Sequence, residues 1–255
     1  VLGAYYLDLS ERNDITDLGT YINPSSTRPP YIKNVTGTRN YDSKNKALFG
    51  SFDYLLSETL TLSFGMRWED WEANYSDTFG EQFDPDDQML GGKLSLTKAW
   101  SDETNVYASV GRGYKSGGFN LGTGFSDELY ADALIYDPEY LWNYEVGINR
   151  QFSGSDTNLD AVIFYSDRKD QQVMASTQVD PNDPNTFTFL TQNAASGKNY
   201  GMELSIKSQP IDALNVYASI GLLKTKVNYL DLTNAQNGRA QAHAPERTFA
   251  IGMRW

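Results

Sequence analysis

Apolar and polar residues alternate singly through most of the chain, in short segments separated by polar stretches. The clearest segment begins at Leu60. Leu60, Leu62, Phe64, Met66 and Trp68 take one face; Thr61, Ser63, Gly65, Arg67 and Glu69 take the other. A two-residue period predicts a β-strand with one apolar and one polar side. Ser101–Asn120 has the same form, with Val106, Ala108 and Val110 opposed to Tyr107, Ser109, Gly111 and Gly113, and then Lys115 and a glycine-rich SGGFN. NVYASVG at Asn105–Gly111 returns nearly unchanged as NVYASIG at Asn215–Gly221. The chain therefore reads as a repeated cell of short turn, alternating strand and long polar connection.

Taken in order, the pattern predicts about ten strands. Val1–Ser10 is the first, with ambiguous facing because Tyr5, Tyr6, Leu7 and Leu9 break the alternation. Glu11–Asn45, with Pro24, Pro29 and Pro30, reads as a long polar excursion. Strands follow near Lys46–Leu56, from Leu60, and at Leu90–Trp100, the last two separated by an acidic connection at Asn74–Met89. After the opening repeat and a loop at Ser116–Pro138 come Trp142–Phe152, the segment from Leu159, Tyr200–Lys207, the segment from Leu214, and Thr248–Trp255. Short turns fall near Ser57, Ser101, Ser153 and Gln209, and long connections alternate with them. That asymmetry, together with charged residues recurring on the non-apolar face, is the signature of an outer-membrane β-barrel with a watery interior. Tyr54, Trp68, Trp71, Trp100, Tyr114, Trp142, Tyr165 and Tyr200, near strand ends, are expected to form two interfacial girdles.

Composition narrows the function classes. No apolar run is long enough for a membrane helix, and the negative mean hydropathy does not weigh against a barrel, half of whose strand residues face water. Cysteine is absent, which excludes thiolate sites, and the single histidine, His243, leaves no histidine cluster for a metal. A net charge of −12 argues against nucleic-acid binding. The chain starts at Val1 without an initiator methionine or signal-like segment, so it is expected to be a piece of a longer protein.

Five segments carry a family likeness. VYASVGRGYKSGGFN at Val106–Asn120 resembles a stretch typical of TonB-dependent outer-membrane receptors, and DPEYLWNYEVGINRQF at Asp137–Phe152 and LDAVIFYSDRKDQQV at Leu159–Val173 are similar to the strands that follow it there. NAASGKNYGMELSIKSQP at Asn193–Pro210 and APERTFAIGMRW at Ala244–Trp255 continue the series in the family's order. The resemblance implies an all-β, antiparallel transmembrane barrel, of which residues 1–255 are a segment of the 22-stranded, plugged kind. It also implies residence in the outer membrane of a Gram-negative bacterium, among its lipids and lipopolysaccharide. The implied activity is active import of a scarce nutrient, most often a ferric siderophore, otherwise haem, cobalamin or an oligosaccharide. Energy would come from the TonB complex through an N-terminal box. Neither plug nor box is found in this chain, so both are expected from missing sequence. The alternatives are a self-contained ten-stranded barrel resembling the omptin proteases, and a soluble β-domain used for binding.

No catalytic, cofactor or metal residue is expected. A protease reading would need paired acids around His243, and QAHAPER supplies none. Asp84, Asp86 and Asp87, and Asp180 and Asp183, lack the spaced, glycine-turned arrangement of a calcium loop. Gly111, Gly113, Gly117 and Gly118 precede no helix, so a phosphate loop fails its context; close approach of another backbone, such as a plug, fits better. Arg112 and Lys115, where a strand leaves the membrane, are candidates for lipopolysaccharide phosphates or surface pairs. Arg67, Glu69, Lys93, Glu145, Glu203 and Lys207 are expected to face the lumen or plug. Loop aromatics Tyr21, Tyr31, Phe79, Phe83, Phe119 and Phe125 are the expected substrate contacts.

Overall fold

The computed structural model describes residues 1–21, 31–121, 134–178, 187–229 and 238–255. The strands are β1 (Leu2–Tyr21), β2 (Tyr31–Ser57), β3 (Leu60–Asp77), β4 (Gln82–Phe83), β5 (Asp86–Ser101), β6 (Thr104–Lys115) and β7 (Gly118–Phe119). They continue with β8 (Ile135–Tyr136), β9 (Glu139–Phe152), β10 (Thr157–Gln178), β11 (Phe187–Ile211), β12 (Leu214–Tyr229) and β13 (Arg247–Arg254). One antiparallel sheet runs β1-β2-β3-β5-β6-β9-β10-β11-β12-β13, with β4 on β3; β7 and β8 form a separate small hairpin.

Register turns the sequence alternation into two continuous faces. One row joins Tyr54, Leu62, Leu96, Ala108, Val146, Ile163, Met202 and Leu222 across eight successive strands of the sheet. A row on the opposite face joins Asp53, Ser63, Ser95, Ser109 and Glu145. A one-residue slip anywhere would put charge into the apolar row, so the pattern itself pins the register. The apolar row is exposed, with Ile163 at 66% and Val146 at 57%, as a surface that contacts lipid must be.

The long connections expected from the sequence are largely strand. Glu11–Asn45 is not a structureless excursion, because β1 and β2 pair without interruption from Leu2↔Gly50 to Tyr21↔Tyr31. Asn74–Met89 likewise contains the end of β3, all of β4 and the start of β5. In these extensions alternation is lost because both faces meet water, not because strand pairing stops. Beyond Trp68 the apolar face of β3 becomes Asp70 and Glu72, which meet Lys46 and Lys44 of β2 at 3.8 and 3.9 Å. The ambiguous first strand is settled by pairing: Tyr5 and Leu7 lie opposite Ala47 and Asn45 on the polar face, and Tyr6 opposite Lys46 on the other. A bulge in β10 between Arg168 and Gln172 places Asp170 at φ 53, turning its carbonyl towards Asn193 of β11.

Two aromatics expected in the girdles belong to the other face. Trp71 shares the parity of Arg67 and Glu69, is 9% exposed, and donates from Nε1 to Ser43 Oγ at 3.1 Å. Tyr114 follows the last β5–β6 pair, Gly92↔Arg112; released from that ladder, its ring lies over Gly91 on the polar face, where no side chain opposes it.

Candidate functional site

The long-connection end of the polar face is where the structure converges. Trp71 and Ala73 of β3 and Met89 of β5 are buried there, with Tyr41, Tyr114 and Phe119 against them. Phe119, from β7, stacks on Phe83 at 5.2 Å between centroids and lies 5.4 Å from Tyr75 and 6.1 Å from Tyr41. Burial and a hydrogen bond to Asp77 push the Tyr75 phenol up to about 12, so that ring stays neutral.

The residue after Phe119 faces a different strand. Asn120 donates from Nδ2 to the Thr191 carbonyl of β11 at 2.9 Å and accepts at Oδ1 from the Thr191 amide at 2.8 Å. The returning arm is tied the same way: Asn193 accepts from the Asp137 amide at 2.7 Å and donates to the Asp137 carbonyl at 2.8 Å. Gln172 Nε2 donates to the carbonyls of Ser116 and Asp137. The β7–β8 hairpin thus bridges β3 and β11, which β5, β6, β9 and β10 separate within the sheet. Adjacent residues can touch both only if the sheet curls with its polar face concave.

Glycine makes this docking possible. A Cβ at Gly117 would collide with the Tyr136 carbonyl and the Asp87 carboxylate, and one at Gly118 with the Tyr136 ring. The close approach expected of these glycines is therefore made by the returning arm of their own loop, a partner that spacing alone could not name. The Gly117 amide donates to Asp87 Oδ2 at 3.1 Å. Burial raises the Asp87 carboxyl above the usual aspartate range, Asp137 and Asp86 add to the rise, and the Gly117 hydrogen bond opposes it.

Below the hairpin, Arg67 and Glu69 form a pair at 2.6 Å. Glu69 Oε2 also accepts from the Tyr114 hydroxyl at 2.8 Å, and Oε1 accepts from Asn45 Nδ2 at 2.6 Å. The Arg67 guanidinium lies 5.7 Å from both the Tyr5 and the Phe49 ring. Lys93, Glu145, Glu203 and Lys207 share the concave face but stand apart from this network. Glu145 accepts from Asn143 at 2.6 Å, and Glu203 and Lys207 form no ion pair among the described residues.

The expected loop aromatics divide. Phe83 and Phe119 are packed in the stack, Phe79 is exposed beyond β3, and Tyr21 and Tyr31 are register partners at the last described pair of the β1–β2 ladder. Phe125, Asp180 and Asp183 lie outside the described residues. Arg112 is held against the Tyr140 ring at 4.0 Å and donates to the Leu90 carbonyl. His243 is exposed in a turn at φ 58. Among the described residues no group of histidines and acids could hold a metal ion. Tyr41, Tyr75, Asn120, Gln172 and Asn193 were not singled out from the sequence; only SGGFN pointed near them.

Comparison with known proteins agrees with this architecture. The family described as "TonB dependent receptor-like, beta-barrel" matches residues 1–255. The probable TonB-dependent siderophore receptor PiuA of Acinetobacter baumannii is 22% identical over 245 residues, which cover 93% of this chain and 30% of that protein. The pesticin receptor of Yersinia pestis is 25% identical over 215 residues, 81% of this chain and 28% of its own length. Among solved structures, the ferric yersiniabactin uptake receptor FyuA from Yersinia pestis superimposes with a TM-score of 0.72 at 20% identity, over 99% of this chain and 36% of that one. The chain thus spans about 30% of the length of the curated relatives it matches. With an exposed apolar belt, a concave polar face and a match along its whole length, the chain belongs to the β-barrel family of TonB-dependent receptors of the Gram-negative outer membrane.

Proposed function

We propose that this chain is part of the wall of a receptor that captures an iron complex, of the ferric siderophore kind, at the cell surface and imports it. The observation that carries this reading is the concave mouth, where an aromatic stack, an Arg–Glu–Tyr network and a pinned hairpin converge at the end bearing the long connections. Relatives named for siderophores and for ferric yersiniabactin support the cargo class. β1 and β13 each pair on one side only among the described residues, and an unpaired edge in lipid leaves backbone groups unsatisfied. Further strands therefore complete the barrel, a plug domain fills it and meets Arg67, Glu69, Lys93, Glu145, Glu203 and Lys207, and an N-terminal box engages the TonB complex.

The test is uptake of radioactive iron by cells whose only receptor of this class is the complete protein, offered separately as siderophore complexes, haem and ferric citrate. Saturable uptake of a siderophore complex that disappears without TonB supports the reading. Uptake of none of these, with import of cobalamin or an oligosaccharide instead, would move the cargo; uptake that persists without TonB would overturn the mechanism.

A further inference from the structure

Phe119 is the one ring of its stack that the barrel wall does not supply. Tyr41 and Tyr75 are register partners on β2 and β3, and Phe83 is paired to Tyr75 from β4. Backbone ladders therefore fix those three rings, and Tyr75 and Phe83 are 2% and 8% exposed. Phe119 reaches them from the β7–β8 hairpin, lies within 16° of the Phe83 ring plane, and covers the buried Trp71–Met89 cluster. Without it, Tyr41, Tyr75 and Phe83 are the walls of a slot the size of one phenyl ring. Beyond the slot Arg39 and Asp77 are register partners, and Asp77 accepts from the Tyr75 hydroxyl and from the amides of Phe79 and Glu81. Both signs of charge fringe the slot, so what it offers a ligand is ring surface and not net charge.

The hold on Phe119 comes from the next residue. Among the described residues β12 follows β11 only as far as Ala195↔Tyr229, so at Thr191 that edge of β11 has no strand beside it. Asn120 takes the strand's place by bonding both the amide and the carbonyl of Thr191. Because Phe119 and Asn120 are consecutive, a ring leaving the slot also moves the side chain that holds β11. Docking is opposed as well as favoured: burial beside Asp137 and Asp86 raises the Asp87 carboxyl, so closing the hairpin onto it works against its charge. Two amide bonds and one ring, set against a buried carboxylate, make a contact that a competing ring can displace.

Granted the iron-import reading, we propose that Phe119 is a stand-in for the cargo: an aryl group of the iron complex, a catecholate or phenolate ring, displaces Phe119 from the Tyr41–Tyr75–Phe83 slot, and Asn120 then releases Thr191. Capture of the ring and release of the β7–β8 hairpin from β11 are one event. The docked hairpin lowers the apparent affinity by the fraction of molecules whose slot is free, and a complex without an aryl group gains nothing from opening it. If Phe119 were an ordinary contact for the cargo, its loss would weaken binding; a stand-in has the opposite sign.

The experiment uses the complete receptor in phosphatidylcholine vesicles, with binding read by tryptophan quenching. The probes are the ferric complexes of a tris-catecholate and of a phenolate–oxazoline chelator, and, without aryl groups, those of desferrioxamine B and citrate. Phe119→Ala should bind an aryl complex about tenfold more tightly than the parent protein. Asn120→Ala, which frees the hairpin but keeps the ring, should shift it the same way by less, and the aryl-free complexes should change less than about twofold. Saturating aryl complex should also speed hydrogen exchange at the Thr191 amide of the parent by about tenfold or more. Heat-modifiable migration establishes that each variant has inserted as a barrel; should Phe119→Ala not insert, Asn120→Ala carries the same test. Unchanged or weaker aryl binding in the inserted variant overturns the stand-in and leaves iron import standing. So does binding of aryl-free complexes alone by both parent and variant. If neither form binds any ferric complex, the iron-import reading fails and the stand-in falls with it.

Discussion

An arginine at Phe64 tests the belt directly. On β3 the apolar row runs from Leu60 to Trp68, a length of roughly 26 Å at about 3.3 Å per residue. With a strand tilt of about 40° that becomes about 20 Å along the membrane normal, and Phe64 sits at its centre. Its ring lies 5.4 Å from Phe52 across the strand pair and is also opposite Leu94. Arginine on the lipid face at the midplane costs roughly 2–4 kcal/mol, falling to about 0–1 near the interfaces. Losing the Phe52 contact would add a separate cost, so the quantity to measure is Phe64→Arg minus Phe64→Ala. The same difference at Asn74, on the same face ten residues further along β3 and opposite Asp42, should be within about 1 kcal/mol. Guanidinium unfolding of the complete receptor in phosphatidylcholine bilayers, followed by tryptophan fluorescence, gives both differences. A Phe64 difference below about 1 kcal/mol, or one equal to that at Asn74, would refute the placement of the belt.

Three further outcomes follow from the concave face. Asn120→Ala removes both bonds to Thr191 and leaves its amide unpaired, so protection of that amide from hydrogen exchange should fall by about 1–3 kcal/mol, while the β9–β10 amides keep theirs. Gly147→Ala would drive a Cβ into the Tyr107 ring directly opposite; a loss of roughly 1–3 kcal/mol is expected, and Tyr107→Ala in the same chain should relieve most of it in a double-mutant cycle. For Asp87 the folded pKa is raised above the ordinary 3.8, so the docked hairpin holds its proton at a pH where the undocked chain has lost it. The contribution is complete below the unfolded value and disappears as pH rises through the folded one. Protection of the Gly117 amide, corrected for intrinsic exchange, should decline over that window, and Asp87→Asn should abolish the decline.

Alternation was legible wherever one face of a strand meets lipid and the other water. Leu60–Glu69 and Tyr200–Lys207 needed no structure to be assigned. The strand extensions of the β1–β2 hairpin and of β3 were invisible to the same reasoning, because with water on both sides any polar residue is tolerated on either face and no period survives. Trp71 and Tyr114 were misplaced for a related reason: an aromatic near a strand end looks the same in sequence whether it meets lipid or a buried contact.

The sequence by itself determined a membrane barrel wall, its register-specifying faces and the family to which it belongs, since these depend on local periodicity and on which residue types lipid excludes. The tertiary structure alone decided that SGGFN docks on its own returning arm and that Phe119 and Asn120 join β3 to β11. Those are contacts between residues far apart in the chain. They are set by the curl and register of the whole sheet, which no short stretch of residues encodes.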